Sequence, residues 1–407
     1  MDQFAFAPPD QRPVDVSFLG DRGEFRELVT RGAALELITI GFYRFWLATD
    51  IRRHLWSNTL IDGDAAEYTG RGRELLLGFL VALAIIVPVY LAYFLVSVEV
   101  SRFKAFAGLP LFAFFYLFGQ FAIYRARRYR LTRTVWRGVR VWMTGSGWAY
   151  AGRSALWLLL VILTLGLLLP WRDASLERYK MRHCHYGDLQ GSFEGTGWDF
   201  FKRGWWLWLL GVVLFIGPPM LIGLLKRSGI PAAPAWQAFL GVCSFIFMVG
   251  MPFGYGIFKA VEWRWWVSGM RFGELRFESC LSNGALVGLY WKVIGWFLLI
   301  AASFGAYLFL GAAILAKISD ATIARLFVAG NSKGSIPMLV LAGIGYLIII
   351  LLANVVLRVY LLRDVWARVA ASTTAYHLEA VDGVSATGEL ANAIGEGLAD
   401  GLDVFGF

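Results

Sequence analysis

The chain has 407 residues, of which 58% are hydrophobic, 16% are aromatic and only 16% are charged. An ordinary soluble domain carries about 25% charged residues, so the composition excludes a single soluble domain. The net charge of +9 does not indicate a disordered nucleic-acid-binding tail, because such chains are poor in aromatic residues.

The N-terminal segment, residues 1–31, contains three prolines and several charges but no apolar run. We therefore expect no cleavable signal peptide, and the internal apolar segments would have to direct insertion into a membrane. The remainder of the chain is dominated by apolar runs separated by short polar arms, and no arm is long enough for a separate catalytic domain of ordinary size.

Membrane segments are the clearest feature of the sequence. A helix that crosses a bilayer needs about 20 apolar residues, and uncharged runs of about that length recur along the chain. An eighth candidate, 32–48, is interrupted by Glu36 and Arg44. The seven runs are 75–98, 105–124, 154–171, 204–225, 228–258, 293–316 and 335–357.

The polar arms resemble one another, which indicates an internal repeat. At an offset of 125 residues, the segment 39–46 aligns with 164–171, and a second offset of 75 aligns the arm at 52–72 with that at 127–147. Each arm predicts a basic helix, a short strand pair and a Gly-x-Gly turn, with strands at 137–142 and 189–193. The glycines that we assign to structural turns are Gly70, Gly72, Gly145, Gly147, Gly195 and Gly197.

The distribution of basic residues predicts the topology. If 32–48 and 154–171 do not cross the bilayer, most of the 38 Lys and Arg residues fall on one side, as the positive-inside rule requires of the cytoplasmic side. We therefore predict an all-α polytopic membrane protein with six transmembrane helices in three hairpins. The two doubtful segments would be re-entrant or interfacial, the arms would form short cytoplasmic β-hairpin inserts, and eight spans would result if both segments crossed.

The same pattern gives a predicted division of the chain. Residues 1–31 form a cytoplasmic N-terminal segment, 32–150 a first repeat, 151–282 a second repeat, and 283–372 a third helix pair with a degenerate arm. Residues 373–407 form an acidic tail, in which apolar residues recur at helical spacing from Leu390 to Phe405. We expect this tail to dock on the basic arms as an amphipathic helix, although its glycines favour disorder instead.

Arginines interleaved with aromatic residues form the largest coherent feature outside the apolar runs. Arginine beside a bilayer attracts anionic lipid, so we interpret this set as a layer that binds headgroups or a partner protein. Its members are Arg52, Arg53, Arg125, Arg127, Arg128, Arg130, Arg133, Arg137, Arg140, Trp136 and Trp142. We expect membrane lipids, and a membrane-protein partner or self-association, as partners; RNA would need a recognition module that the sequence lacks.

A solute pathway is the alternative interpretation. Prolines and a polar residue inside the apolar runs could flank such a pathway, although membrane helices often contain proline only for packing. The residues are Pro88, Pro218, Pro219, Pro252 and Asn354. None of the six core runs carries a charged residue, which argues against a proton- or sodium-coupled pump.

Enzymatic and metal chemistry find little support. The sequence has no Gly-x-Ser-x-Gly, HExxH or Walker A motif, so an interfacial lipid-modifying enzyme ranks third. Three cysteines without CxxC spacing predict neither a disulfide framework nor a zinc site. The cluster His183-Cys184-His185 offers too few ligands for tetrahedral zinc. We expect no metal, no cofactor and no catalytic residue.

A resemblance to a known family is carried by residues 39–46 (TIGFYRFW), followed by Asn58-Thr59, Tyr68-Thr69-Gly70 and Glu74-Leu75, and by the closing residues 395–400 (GEGLAD). In these the chain resembles the YjgN-like family of bacterial inner-membrane proteins, over nearly its whole length. The resemblance implies a multi-pass protein of the bacterial inner membrane and brings no established activity. With both termini expected in the cytoplasm, we predict a non-enzymatic protein that organises anionic lipid or partner proteins.

Overall fold

The computed structural model describes residues 13–99, 104–228, 234–318 and 332–388. The predicted amphipathic helix at 390–405 lies outside these residues. Helices make up most of the described chain and come in antiparallel pairs. They are α1 Arg22–Ile38, α2 Arg44–Ser57, α3 Gly72–Glu99, α4 Lys104–Thr132, α5 Gly147–Leu163, α6 Leu169–Arg182, α7 Gly197–Arg227, α8 Pro234–Gly269, α9 Val287–Ile318, α10 Ser332–Leu357 and α11 Asp364–Ala371.

A closed antiparallel β-barrel holds the helix pairs together. Its strands are β1 Val14–Phe18, β2 Thr59–Ile61, β3 Asp64–Tyr68, β4 Thr134–Trp136, β5 Val139–Met143, β6 Cys184–Tyr186, β7 Leu189–Phe193, β8 Met270–Phe272, β9 Leu275–Ser279 and β10 Thr373–Tyr376. Consecutive strands pair around the barrel, and β1 closes it by pairing with both β2 and β10, with Val14 opposite Ala375 and Val16 opposite Ile61.

Every helix pair joins the same end of the barrel. The hairpins β2–β3, β4–β5, β6–β7 and β8–β9 each follow one helix and precede another, so their turns all lie at the opposite end. Two of these turns have positive φ at both central residues, Asp62-Gly63 and Arg137-Gly138, which fits the twist of a two-residue hairpin.

Apolar side chains fill the barrel at the end where the hairpin turns lie. Trp136, Tyr186 and Leu275, from three different strands, pack in one cluster with Leu378 and Val381. The last two belong to a single 3₁₀ turn, Leu378–Val381, that follows β10. This turn therefore closes the barrel end, and the first residues of the acidic tail are part of the core.

Each helix that follows a hairpin packs, at its start, against the helices that precede the hairpins. Leu75 of α3 packs with Phe45 of α2 and Tyr129 of α4, and equivalent clusters surround α1, α5, α7 and α9. A π-helical turn, Arg358–Arg363, joins α10 to α11. Its Arg358 binds Glu36 of α1, which joins the last helices to the first.

Four helical segments in the described residues are long and apolar enough to cross a membrane: Gly72–Phe94, Gly108–Thr132, Val287–Ile318 and Ile336–Ala371. Helices α7 and α8 are 31 and 36 residues long, but only part of their side chains is described. The fold is that of a membrane protein with a β-barrel attached to one end of its helices.

The predicted fold class, all-α with six spans in three hairpins and separate hairpin inserts, is wrong. The hairpins combine with β1 and β10 into one barrel, and four spans qualify among the described residues. The physical reason is that an isolated two-stranded hairpin is marginally stable and exposes two edges, whereas closure pairs every edge.

The two doubtful segments form short helix pairs. The turn between α1 and α2 has positive φ at Ile40 and Gly41, and the turn between α5 and α6 has it at Leu165 and Gly166. Each pair begins and ends beside neighbouring barrel strands.

Candidate functional site

A cavity of about 380 Å³ between α4, α5, α6 and α8 contains seven charged side chains, and we call it the charged cavity. It lies within a few turns of the barrel, because its residues on α6 and α8 precede β6 and β8 by four to twelve positions. Its lining comprises Arg127, Tyr150, Arg172, Asp173, Leu176, Glu177, Lys180, Lys259, Glu262, Trp263, Trp265 and Trp266.

Glu177 is the best-satisfied acid of the charged cavity. Arg127 of α4 and Trp266 of α8 each donate a hydrogen bond of 3.0 Å to its Oε2, and Lys180 donates to Oε1. Burial raises the pKa of Glu177, but Lys180 and Arg127 outweigh it and leave the pKa at about 2. The carboxylate therefore stays ionised and ties three helices together.

Asp173 differs from Glu177, although both lie on the same face of α6 one turn apart. Its nearest partner is the neighbouring Arg172, whose Nε lies 3.4 Å from Oδ1, and no described residue donates a hydrogen bond to it. Burial raises the pKa of Asp173 to about 6, while Arg172 opposes the rise and Glu262 adds to it. A carboxyl whose pKa is raised by burial in a cavity is a candidate functional group, because perturbed pKa values cluster at functional sites.

The positive charges outnumber the negative ones in the charged cavity. Arg127, Arg172, Lys180 and Lys259 face Asp173, Glu177 and Glu262. Lys259 binds Glu262 at 2.6 Å, which leaves Arg172 as the cation with the weakest partner among them. A bound anion would balance the excess charge.

An apolar cleft of about 340 Å³ lies next to the charged cavity along α6 and α8, farther from the barrel. It lies between α7, α8 and the α5–α6 turn and is lined by aliphatic and aromatic side chains, including Leu169, Trp205, Met251 and Phe258. Glycines make room for it: a Cβ added at Gly204, Gly211 or Gly250 meets nothing within 4 Å.

The cleft and the charged cavity share two helices. On α6, Leu169 and Pro170 line the cleft, whereas Asp173 and Glu177 line the charged cavity at helical i, i+3 and i+4 spacing. On α8, Tyr255 and Phe258 of the cleft lie four residues before Lys259 and Glu262 of the cavity, and therefore on the same face. One face of each helix thus changes from apolar to charged along its length.

Four of the predicted headgroup-binding arginines form ion pairs within the protein, and one of them is Arg53, which lies 3.5 Å from Asp50. Arg127 binds Glu177, Arg133 binds Glu74 at 3.0 Å, and Arg137 bridges the hairpin turns. Its partners are Asp62 at 2.7 Å, Asp64 at 2.6 Å and, in the tail, Asp382 at 3.1 Å. The last contact brings the start of the acidic tail onto a basic arm.

Several other residues of the predicted layer also contact the protein itself. Arg52 is fully buried and donates to the Tyr68 hydroxyl, and Arg53 donates to the Gly70 carbonyl. Arg140 donates to the Thr132 carbonyl, and the Arg125 guanidinium lies 5.6 Å from the Phe121 ring centre. Arg128 and Arg130 are half-buried on α4.

The two predicted tryptophans belong to the barrel. Trp136 is buried and donates to the Asp64 carbonyl, and Trp142 donates to the Gly187 carbonyl while its ring stacks on His185. Most side chains of the predicted layer therefore contact the protein itself. Headgroup binding by the whole layer stays a prediction.

The pathway residues are dispersed. Pro88 lies in α3, Pro218 and Pro219 in α7, and Pro252 in α8 beside the apolar cleft. Asn354 donates to the Ile350 carbonyl within α10. Among the described residues, no three His, Cys, Asp or Glu side chains form a group that could hold a metal ion.

The predicted turn glycines lie at close contacts. A Cβ on Gly72 or Gly197 would lie 3.0 or 2.7 Å from the Cα of Trp46 or Trp171, and on Gly70 or Gly195 it would meet the ring of Tyr68 or Phe193. Gly145 has positive φ beside Tyr124, and Gly147 packs on Phe121. The internal repeat stays an interpretation. The contacts of Gly70 and Gly72 are nevertheless equivalent to those of Gly195 and Gly197, 125 residues later.

Sequence reasoning did not identify Asp173, Glu177, Lys180, Lys259 or Glu262. The available signal was their spacing: Asp173, Glu177 and Lys180 recur at i, i+4 and i+7 directly after an apolar run. Their convergence with α8 depends on the barrel, and no local pattern shows it.

A family model described as bacterial protein of unknown function (DUF898) matches residues 13–401, and the YjgN-like family lies within it. No curated protein and no solved structure matches the chain.

Proposed function

This chain belongs to the DUF898 family of bacterial proteins of unknown function, and we propose that it binds an anionic amphiphile between α6, α7 and α8. The supporting observation is that successive turns of α6 and α8 line first the apolar cleft and then the charged cavity. A lipid has the same division, with an acyl chain that favours apolar surface and a headgroup that requires charge.

The charge balance favours an acidic headgroup. The cavity has one more cation than acid, and Arg172 is held only by its neighbour Asp173. We propose binding without turnover, because the other two acids of the cavity are engaged by Lys180, Arg127 and Lys259. This narrows the expected lipid interaction from the whole arginine-rich layer to one site.

We also propose that the protein resides in the bacterial inner membrane with the barrel and both termini in the cytoplasm. Support comes from the basic residues of the arms, which the barrel gathers at one end of the helices. A solute facilitator would use the same membrane helices, and liposome flux would favour that alternative.

Native mass spectrometry of the purified protein tests the site. Gly250→Leu fills the cleft and Arg172→Gln removes the least engaged cation, and each should reduce retention of an anionic phospholipid about tenfold. The controls are Gly343→Leu, where an added Cβ also meets open space, and Arg182→Gln, an exposed arginine of α6 outside the cavity. Equal retention in all four variants would contradict the proposal.

A further inference from the structure

A third, smaller pocket lies where α2 meets the start of α3. It encloses about 260 Å³ and is lined by Trp46, Thr49, Asp50, Arg53, Arg71, Gly72 and Arg73. We call it the α3 pocket. It shares no lining residue with the charged cavity or the apolar cleft.

Close packing of two backbones builds the α3 pocket. Gly72 lies so near α2 that an added Cβ would be 3.0 Å from the Cα of Trp46. Arg53 then reaches across and donates from Nη2 to the Gly70 carbonyl at 2.9 Å. The guanidinium of Arg53 is thereby fixed in the wall of the pocket.

The pocket carries an excess of positive charge. Asp50 is its one acid, at 3.5 Å from Arg53, and burial raises the pKa of Asp50. Arg71 and Arg73 are exposed and form no ion pair with any described residue. Three arginines therefore surround a space that a single carboxylate only partly neutralises.

The equivalent junction at offset 125 shows that Arg71 and Arg73 are not needed to hold the helices together. There, Gly197 packs on Trp171 and Arg178 donates to the Gly195 carbonyl at 3.4 Å. The positions of Arg71 and Arg73 are taken by Thr196 and Trp198, and Thr196 caps the helix by accepting from the Asp199 amide. Packing of the two helices therefore does not explain why both positions carry arginine at the start of α3.

We propose that the α3 pocket binds the phosphate of an anionic lipid headgroup. Arginine matches phosphate with several donors in a fixed fork, and here two unpaired guanidinium groups flank a third that is already oriented. The source is a lipid, because the pocket lies at the start of Gly72–Phe94, a candidate membrane span. Nearby, Arg44 lies 4.4 Å from the centre of the Phe79 ring, as an arginine at a membrane boundary does.

This inference is independent of the site between α6 and α8. The full-length protein in detergent is titrated with phosphatidylglycerol, and bound copies are counted by native mass spectrometry. The double variant Arg71→Gln/Arg73→Gln should lose one bound lipid, with affinity at that site reduced about tenfold or more. Gly250→Leu should leave this lipid in place and remove a different one, so failure at one site is separable from failure at the other.

The matched control is Arg26→Gln/Arg31→Gln, which removes two exposed arginines from α1. It should retain the lipid, and an equal loss in the control would overturn the proposal by showing only general attraction between charges. Millimolar inorganic phosphate should not displace the lipid. If millimolar phosphate displaces the lipid from the wild-type protein, the pocket holds a free anion and the lipid assignment is wrong. Unchanged binding in the double variant would also refute the site.

Discussion

Arg358 donates two hydrogen bonds to the carboxylate of Glu36, at 2.8 and 3.3 Å, across 322 residues of sequence. Both side chains are largely buried, at 7% and 14% exposure. The pair joins α1 to the π-helical turn after α10, on the same seam at which β1 and β10 close the barrel. It locks the first and last elements of the fold together.

Removing one member of this pair should be more harmful than removing both. Glu36→Gln leaves a buried guanidinium without its counter-charge, and such a loss costs about 3–5 kcal/mol. Glu36→Leu/Arg358→Leu removes both charges and should be less destabilising than either single Leu variant. Thermal unfolding of the wild type, both single Leu variants and the double variant in one detergent gives a double-mutant cycle. Strictly additive losses of stability would show that the two side chains do not interact.

Gly72 lies in close contact with Trp46, and Gly197 with Trp171. We therefore expect a larger side chain at either glycine to destabilise the protein to a similar extent. Gly72→Ala and Gly197→Ala should each destabilise the protein by about 1–3 kcal/mol, because a Cβ meets backbone that cannot move aside. Gly204→Ala, with open space around its Cβ, is the control. Unfolding temperatures that match wild type at both sites would mean that the helices can separate at no cost.

Asp173 should make stability depend on pH between about 4 and 6. Its pKa is raised from 3.8 to about 6, so the folded protein binds a proton that the unfolded chain does not, and stability falls as pH rises through 6. Asp173→Asn should remove this dependence and stabilise the protein at pH 7.5 by at most about 3 kcal/mol. Unfolding followed from pH 7.5 to 5 avoids the range in which Glu177 protonates. A mutant that keeps the wild-type slope would assign the titration to another group.

The hairpin turns should all label from one side of the membrane. Single cysteines at Asp64, Asp188 and Glu274, in a background whose three native cysteines are alanine, occupy exposed positions at or beside these turns. A membrane-impermeant maleimide should modify all three in inverted vesicles and none in intact spheroplasts. Opposite accessibility of any two positions would be incompatible with a single closed barrel.

Local patterns predicted individual elements of this fold but not its architecture. Alternation at 189–193 matches β7. Closure of the barrel was not predictable, because β1 and β10 lie about 360 positions apart and strands of four or five residues carry little signal. The same closure brings Arg127, Asp173 and Glu262 together, so the charged cavity could not be found before the fold was known.

The most direct test of the account is photo-crosslinking with an anionic phospholipid that carries a diazirine on its acyl chain. The purified protein is irradiated with this lipid in detergent, digested and mapped by mass spectrometry. The account predicts crosslinks concentrated at the α7 and α8 residues of the apolar cleft, from Gly204 to Gly211 and from Gly250 to Phe258, and their loss in Gly250→Leu. Crosslinks spread evenly over α3, α9 and α10, and unchanged by that substitution, would contradict it.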